Sequence, residues 1–125
     1  MSDLLFDGLH RGLGTALDLR DVQHRLTVSN IANADTPGYR ARVMDFEKAI
    51  GAALDDISRG EELKLDPDAL PIEEMEPEPW VLDGNSVVAE KEMERLIANS
   101  IEYNAIAGGL SRRLALLRFA ANDGR

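Results

Sequence analysis

The sequence predicts an all-α protein: long N- and C-terminal helices pair in a coiled-coil-like arrangement, with a short helix and a mobile acidic, proline-rich loop between them. In both terminal segments apolar side chains recur about every 3.5 residues, as along the seam of a coiled coil. Aromatic residues make up only 5% of the chain, which suits long helices better than a sheet-based core. The 125 residues fit a single domain with four parts: an N-terminal helix (1–33), a turn and short helix (34–60), the acidic loop (61–85) and a C-terminal heptad helix (86–125).

The N-terminal helix is predicted from an apolar stripe that ends near two asparagines. Such a helix is about 46 Å long, and we expect its first residues to fray because Gly8, Gly12 and Gly14 each cost up to roughly 1 kcal/mol of helix propensity. Asn30 and Asn33 continue the stripe, and two interpretations stay open for them. Polar amides on a seam fix register and oligomer state, or else the helix is already ending, with Asn33 as its cap. The side chains of this stripe that we predict to pack between subunits are Leu9, Leu13, Leu19, Val22 and Leu26.

The middle of the chain begins with a turn at Thr36-Pro37-Gly38-Tyr39. Pro followed by Gly suits a type II turn, because Pro presets φ and Gly accepts a positive φ. A short amphipathic helix follows, for which Asp45 is the predicted N-cap.

Residues 61–83 contain nine acidic residues and one basic residue, so this segment carries −8 of the net charge of −9. Its prolines and self-repulsion predict an extended or mobile loop. We expect deletion of Asp66 to Glu78 to be tolerated much better than changes to Thr36–Tyr39. Trp80-Val81-Leu82 is the one apolar stretch that we expect to dock back on the helices. The charge disfavours nucleic acid. The run at residues 73–78 lacks the glycine turn and the rigid pocket that a calcium site or acid–base catalysis needs.

The C-terminal helix is predicted to follow the Asp83-Gly84 turn, with Asn85 or Ser86 as its cap. It would be about 54 Å long, whereas a compact chain of this size is only about 36 Å across. Its seam therefore requires a partner outside a compact core. Gly108-Gly109 predicts a kink or a point of close backbone approach. The seam residues that we predict to pack between subunits are Met93, Leu96, Tyr103, Leu110, Leu114 and Leu117.

The sequence contains no pattern typical of catalysis or of cofactor binding. Cysteine is absent, and His10 and His24 are the only histidines, so we expect surface histidines, no metal and no cofactor. No phosphate-binding loop or nucleophile motif is present, and we expect neither an enzyme nor a small-molecule substrate. We also expect no membrane span and no secretory signal, because no long apolar run exists and no Lys or Arg precedes Arg11.

The decapeptide from Asn30 to Tyr39 closely resembles the signature near the N-terminus of bacterial flagellar rod, hook and hook-associated axial proteins. The C-terminal helix is similar to that family in its Glu92-Met93-Glu94 start and in its Asn99 and Tyr103-Asn104 centre. The short chain and its ending are similar to the proximal rod subunits of the family. The residues that carry the motif are Asn30, Ala32, Asn33, Thr36, Pro37, Gly38 and Tyr39.

The resemblance implies a structural subunit that polymerises through its terminal helices and passes torque from motor to hook in flagellum-dependent motility. It implies export by the flagellar type III apparatus without a cleaved signal peptide, and a place in the periplasmic rod of the basal body. The implied partners are other rod proteins, the export gate, membrane ring components and further copies of the chain. Two alternatives stay open. The chain is a different proximal rod subunit of the same family from the one it most resembles, or it is a soluble helical-hairpin adaptor or export chaperone.

Overall fold

The protein folds around two long helices, and this confirms the predicted all-α class. The computed structural model describes residues 2–63 and 65–123, so the predicted fraying falls partly on Met1, which lies outside them. The C-terminal helix begins three residues later than the heptad pattern predicted. In chain order the elements are α1 (Ser2–Ala32), β1 (Arg42–Met44), α2 (Phe46–Ser58), β2 (Ile72–Glu74) and α3 (Ala89–Asp123).

The apolar core lies between α1 and α2. Leu19 of α1 is completely buried and packs with Met44 and Ala49, which follow the turn after α1. The two helices run antiparallel, since Arg20 lies over the ring of Phe46 at the start of α2 and Gly12 lies beside Leu54 further along it. The partly buried side chains that complete this core are Val22, Leu26, Phe46, Ile50, Leu65, Leu70 and Ile72.

Two of the glycines that weaken α1 allow α2 to approach it closely. A Cβ atom at Gly12 would lie 3.2 Å from Leu54 Cδ2, and one at Gly8 would lie 3.8 Å from Ile57 Cγ2. At Gly14 a Cβ atom would meet nothing within 4 Å. The helix-propensity cost at Gly12 is therefore offset by the packing that a bare backbone permits, whereas Gly14 has no such role inside the chain.

The third helix also runs antiparallel to α1. Asn30 near the end of α1 contacts Glu92 near the start of α3, and Arg20 contacts Asn99 further along. The helix is assigned without a break through Gly108 and Gly109. A Cβ atom at either glycine would meet nothing within 4 Å. The expected close backbone approach is therefore absent among the described residues of the chain.

The acidic segment has little regular secondary structure, as its composition predicted, but it is not a detached spacer. Its residues 72–74 form β2, which pairs antiparallel with β1 in the register Arg42↔Glu74, Val43↔Glu73 and Met44↔Ile72. Leu65, Leu70 and Ile72 cover the core, while the glutamates of β2 face solvent. Composition failed here because a few well-spaced apolar residues anchor an otherwise charged segment.

The turns follow their local sequence signals. Gly38 has a φ of 73°, as the third position of a type II turn requires, and this conformation strains any other L residue. Asp45 caps α2 as predicted, because its Oδ1 accepts a hydrogen bond of 3.0 Å from the backbone N–H of Lys48. Trp80 and Leu82, in contrast, are 74% and 103% exposed, so the expected docking of this stretch on the helices does not occur.

Candidate assembly interface

The side chain of Asn30 joins α1, β1 and α3 at one buried point. It is 1% exposed, and its carboxamide acts on Arg42 as a neighbouring strand would: Oδ1 accepts from the backbone N–H (3.0 Å) and Nδ2 donates to the backbone carbonyl (2.9 Å). Nδ2 also donates to Glu92 Oε2 at 3.0 Å, and Oδ1 accepts from the Tyr39 hydroxyl at 3.3 Å. The amide thus uses both of its donors and both of its acceptor positions. Of the two interpretations of Asn30, the structure favours the one that fixes register.

Glu92 is the partner that α3 contributes to this junction. Its side chain is 1% exposed, and its second carboxylate oxygen is paired with Arg95 one turn along the same helix. A buried carboxylate is tolerated only when it is paired and hydrogen-bonded. Arg95 moves with Glu92 because both lie on α3, but Asn30 lies on α1, so sliding α3 by one turn along α1 would leave one buried oxygen of Glu92 without its hydrogen bond.

The end of α1 is closed by two further asparagines. Asn33 lies just after the helix, and its Nδ2 donates to the Ser29 carbonyl at 2.8 Å while Oδ1 accepts from the Thr36 hydroxyl. Of the two interpretations left open for Asn33, the structure therefore favours the one in which it caps the end of α1. Asn85 does not cap α3 as predicted. Its Nδ2 lies 2.8–2.9 Å from the carbonyl oxygens of Asn33, Ala34 and Thr36. Asn85 therefore provides a hydrogen-bond donor for the backbone carbonyls that follow α1.

The predicted cap alternative Ser86 also has another role. Its hydroxyl accepts the backbone N–H of Ala41 at 2.7 Å, and its own N–H donates to the Tyr39 carbonyl. The Gly38 N–H likewise donates to the Asp83 carbonyl at 2.7 Å. The predicted motif residues between Asn30 and Tyr39 therefore form a turn that the segment before α3 holds against the end of α1.

A second polar junction lies about three turns away along α1 and about two turns away along α3. Asn99 is 3% exposed and donates from Nδ2 to the Arg20 carbonyl at 2.9 Å. The guanidinium of Arg20 pairs with Glu102 of α3 and lies 3.5 Å above the centroid of the Phe46 ring. Arg20 thus links all three helices, and the two junctions together define the register of α3 on α1.

The predicted packing residues divide between the inside and the outside of the chain. Leu19, Val22 and Leu26 belong to the core, where the rest of the same molecule covers them. Leu13, Leu96 and Leu110 are partly buried. The predicted packing residues that remain exposed by 39–47% are Leu9, Met93, Tyr103, Leu114 and Leu117.

The third helix carries a row of uncovered apolar side chains that we name the outer face of α3. It consists of Met93, Ile97 and Ile101, which follow one another at intervals of four residues and are 47%, 57% and 64% exposed. Side chains at this spacing lie along one side of a helix. Large exposed apolar rows on a soluble chain mark surfaces that another protein covers.

Nothing described in the structure resembles a catalytic or metal centre. A polar groove of about 280 Å³ lies between α1 and α3, lined by residues that include His24, Asn99 and Tyr103. Within the described residues, no group of three or more His, Asp or Glu side chains is placed to hold a metal ion. His24 is exposed as expected. His10 is only partly so, and its ring nitrogens are buried without a hydrogen-bond partner among the described residues. None of the described helices combines the length and apolar composition that a membrane crossing requires.

A long helix pair with polar junctions inside and an apolar row outside is typical of subunits that assemble through their helices. The profile of the family "Flagella basal body rod protein" matches residues 14–40, which include the Asn30–Tyr39 turn. The chain is 35% identical to the flagellar basal body rod protein FlgB of Cereibacter sphaeroides, over 84% of this chain and 87% of that protein. It is 27% identical to FlgB of Bacillus subtilis over 97% and 98% of the two chains, and 29% identical to FlgB of Escherichia coli over 79% and 82%. The chain therefore belongs to the FlgB family of flagellar basal body rod proteins, which is a family of structural proteins.

Sequence reasoning missed the α3 side of both junctions. Glu92 and Asn99 are polar, so a search for apolar spacing passed over them and placed the seam through Met93 and Ser100 instead. The face that packs on α1 also has heptad spacing and shares members with the predicted stripe. Its buried or partly buried members are Glu92, Leu96, Asn99, Ile106, Leu110 and Arg113, of which Glu92 and Asn99 hydrogen-bond to α1.

Proposed function

We propose that this chain builds the proximal part of the flagellar rod by presenting a helix pair of fixed register to its neighbours. As a member of its family the chain is a structural subunit of the flagellar basal body rod, with a role in motility. The proposal adds how it assembles: the outer face of α3 is covered by helices of adjacent subunits. Torque then passes from subunit to subunit through packed helices, and no catalytic step is involved.

The observation that carries this proposal is the coexistence of a locked inner seam with an uncovered outer face. Asn30, Glu92 and Asn99 hold α3 on α1 without help from another molecule. Ile97 and Ile101 remain more than half exposed on the same helix. Burying such a side chain contributes about 1.5–3 kcal/mol, so a second helix laid along this face gains substantially.

The location and the partners are proposed at a finer level than family membership gives. We place the chain in the periplasmic rod, exported by the flagellar type III apparatus without cleavage of a signal peptide. Its neighbours are further copies, other rod proteins, and the export gate and membrane ring components at the base. The support is the close similarity of the Asn30–Tyr39 turn to the axial family signature and the length shared with FlgB relatives.

The experiment is complementation of a motility-deficient deletion strain with Ile97→Asp. A carboxylate on the outer face cannot be buried against a neighbouring helix, so we expect rods and swimming to be lost while the purified chain keeps its helix content. The matched control is Ala98→Asp, which places the same charge at the neighbouring exposed position, about 100° around α3 from Ile97. Normal swimming with Ile97→Asp would show that the outer face is not an assembly surface.

A further inference from the structure

We infer that the two ends of this molecule are complementary, and that the acidic, apolar end of one copy docks on the cationic, apolar end of α3 of a second copy. The inference rests on the proposed role as an assembling subunit. It goes beyond that role because it assigns a head-to-tail contact that is distinct from the outer face of α3.

The first surface, which we name the acidic end, consists of residues 73–83 beside the Gly38 turn. Trp80 and Leu82 project from it, and they are among the most exposed large apolar side chains described. Two hydrogen bonds order the turns beneath them, from Val81 N–H to the Glu78 carbonyl (3.0 Å) and from Gly84 N–H to the Val81 carbonyl (3.3 Å). Because the backbone beneath these side chains is already ordered, a partner that buries them does not have to order this segment of chain as well.

Acidic side chains surround Trp80 and Leu82. Residues 73, 74, 76, 78 and 83 are all acidic and exposed, and Arg40 pairs with only one of them, Glu76. A surface of this kind repels nucleic acid and anionic lipid, and it favours a protein surface that offers cations next to apolar side chains.

The second surface, which we name the cationic end, has that composition and belongs to the same chain. Arg112, Leu116 and Phe119 follow at intervals of four and three residues, so they share one side of α3, and Arg118 lies next to Phe119. Leu116 is 69% and Phe119 67% exposed. Residues 112–119 contain three arginines and no acidic residue.

The two ends cannot meet within one molecule. The acidic end adjoins the start of α3 at Ala89, whereas the cationic end begins at Arg112, about 35 Å along a straight helix. Each surface therefore needs another copy. Two different surfaces that fit each other make a head-to-tail contact, which repeats along an axis and does not close on itself as a symmetric dimer does.

The chain contains no cysteine, so disulfide cross-linking between single-cysteine variants tests the contact directly. Trp80→Cys and Phe119→Cys chains of different tag length are mixed at equal concentration and oxidised. The expected main product is the mixed disulfide. A charge-reversed Phe119→Cys chain also carries Arg112→Glu and Arg118→Glu. With this chain the yield of the mixed disulfide should fall at least about tenfold, because acidic groups then face acidic groups. High salt should lower the yield of the mixed disulfide between the Trp80→Cys chain and the Phe119→Cys chain that keeps its arginines, because salt screens the attraction between the two ends.

The control replaces the Phe119→Cys chain with Asp18→Cys, an exposed position in the middle of α1 that lies away from both ends. This pair gives no mixed product above random collision. If cross-links between two Trp80→Cys chains dominate, the contact is symmetric and the head-to-tail contact is wrong. If the yield of the mixed disulfide is no higher than in the control, a second copy of the chain does not bind the acidic end. Neither result affects the proposed function, whose failure would appear separately as normal swimming with Ile97→Asp.

Discussion

The two sides of α1 are built from different chemistry. Toward α2 the helix presents Leu19 with partly buried apolar neighbours, and bare glycine backbone where Leu54 approaches. Toward α3 it presents Arg20 and Asn30, which contact the buried residues Glu92 and Asn99 of α3. The α2 side packs through apolar contacts, whereas the α3 side packs through hydrogen bonds and an ion pair, although Asn99 Oδ1 and Arg20 Nε have no hydrogen-bond partner among the described residues.

This difference separates stability from alignment. Apolar contacts are non-directional, so they stabilise the α1–α2 pair without defining one exact position along the helix. Buried amides and carboxylates are satisfied in one register only, and they contribute specificity more than net stability. A long helix that must present a defined outer face to its neighbours needs the second property, and the polar side of α1 supplies it.

The largest effect is expected when the apolar side is broken. Leu19→Ala removes a fully buried side chain next to Met44 and leaves a cavity, so we expect a loss of about 2–5 kcal/mol in the free energy of unfolding, measured by urea denaturation. Val28→Ala is the control on the same helix; Val28 is 44% exposed, and its loss should be about 0.5 kcal/mol. Equal losses for the two variants would contradict the placement of the core.

Breaking the polar side is expected to cost somewhat less. Asn30→Leu removes the partner of one Glu92 oxygen, while Arg95 keeps the other, and it breaks two hydrogen bonds to the buried backbone of Arg42, which should cost about 2–3 kcal/mol in the same assay. Asn33→Leu, which alters only a partly exposed cap, should cost about 1 kcal/mol.

Adding Glu92→Leu to Asn30→Leu sharpens this test. An apolar pair leaves no carboxylate unpaired at the junction, so the double variant should recover part of the loss. Strictly additive losses would mean that the two side chains do not act together in the folded chain.

The smallest effects come from the glycines of α1. Gly14→Ala adds a Cβ atom in open space and should raise the free energy of unfolding by up to about 1 kcal/mol through helix propensity. Gly12→Ala places its Cβ 3.2 Å from Leu54 Cδ2 and should gain clearly less. A larger gain at Gly12 than at Gly14 in thermal or urea unfolding would contradict the close approach of α2.

Periodicity predicted the helices because their apolar spacing is long and regular. The end of α1, the turn at Gly38 and the Asp45 cap also followed from local signals, since capping and positive φ depend on few residues. The face of α3 that meets α1 did not follow, because its buried members Glu92 and Asn99 are polar and only tertiary partners make their burial tolerable.

The anchoring of the middle segment on the core was not predicted, for a related reason. Its acidic composition indicated an extended or mobile loop, yet Leu65, Leu70 and Ile72 anchor it on a core that α1 and α2 create. Deletion of residues 66–78 removes two of these three side chains and β2, so it should disturb the fold more than composition indicated; that it is tolerated better than changes to Thr36–Tyr39 stays a prediction. Asn85 was assigned to the wrong helix because sequence distance does not reveal that residues 33–36 lie beside it.

The most direct test of the account is the accessibility of the outer face of α3 before and after assembly. The chain lacks cysteine, so Ile101→Cys supplies a single thiol on this face. A maleimide reagent is applied to the purified chain and to isolated basal bodies that contain the same variant. We expect rapid labelling of the free chain and strong protection in the rod. Equal labelling in both states would contradict the claim that neighbouring subunits cover this face.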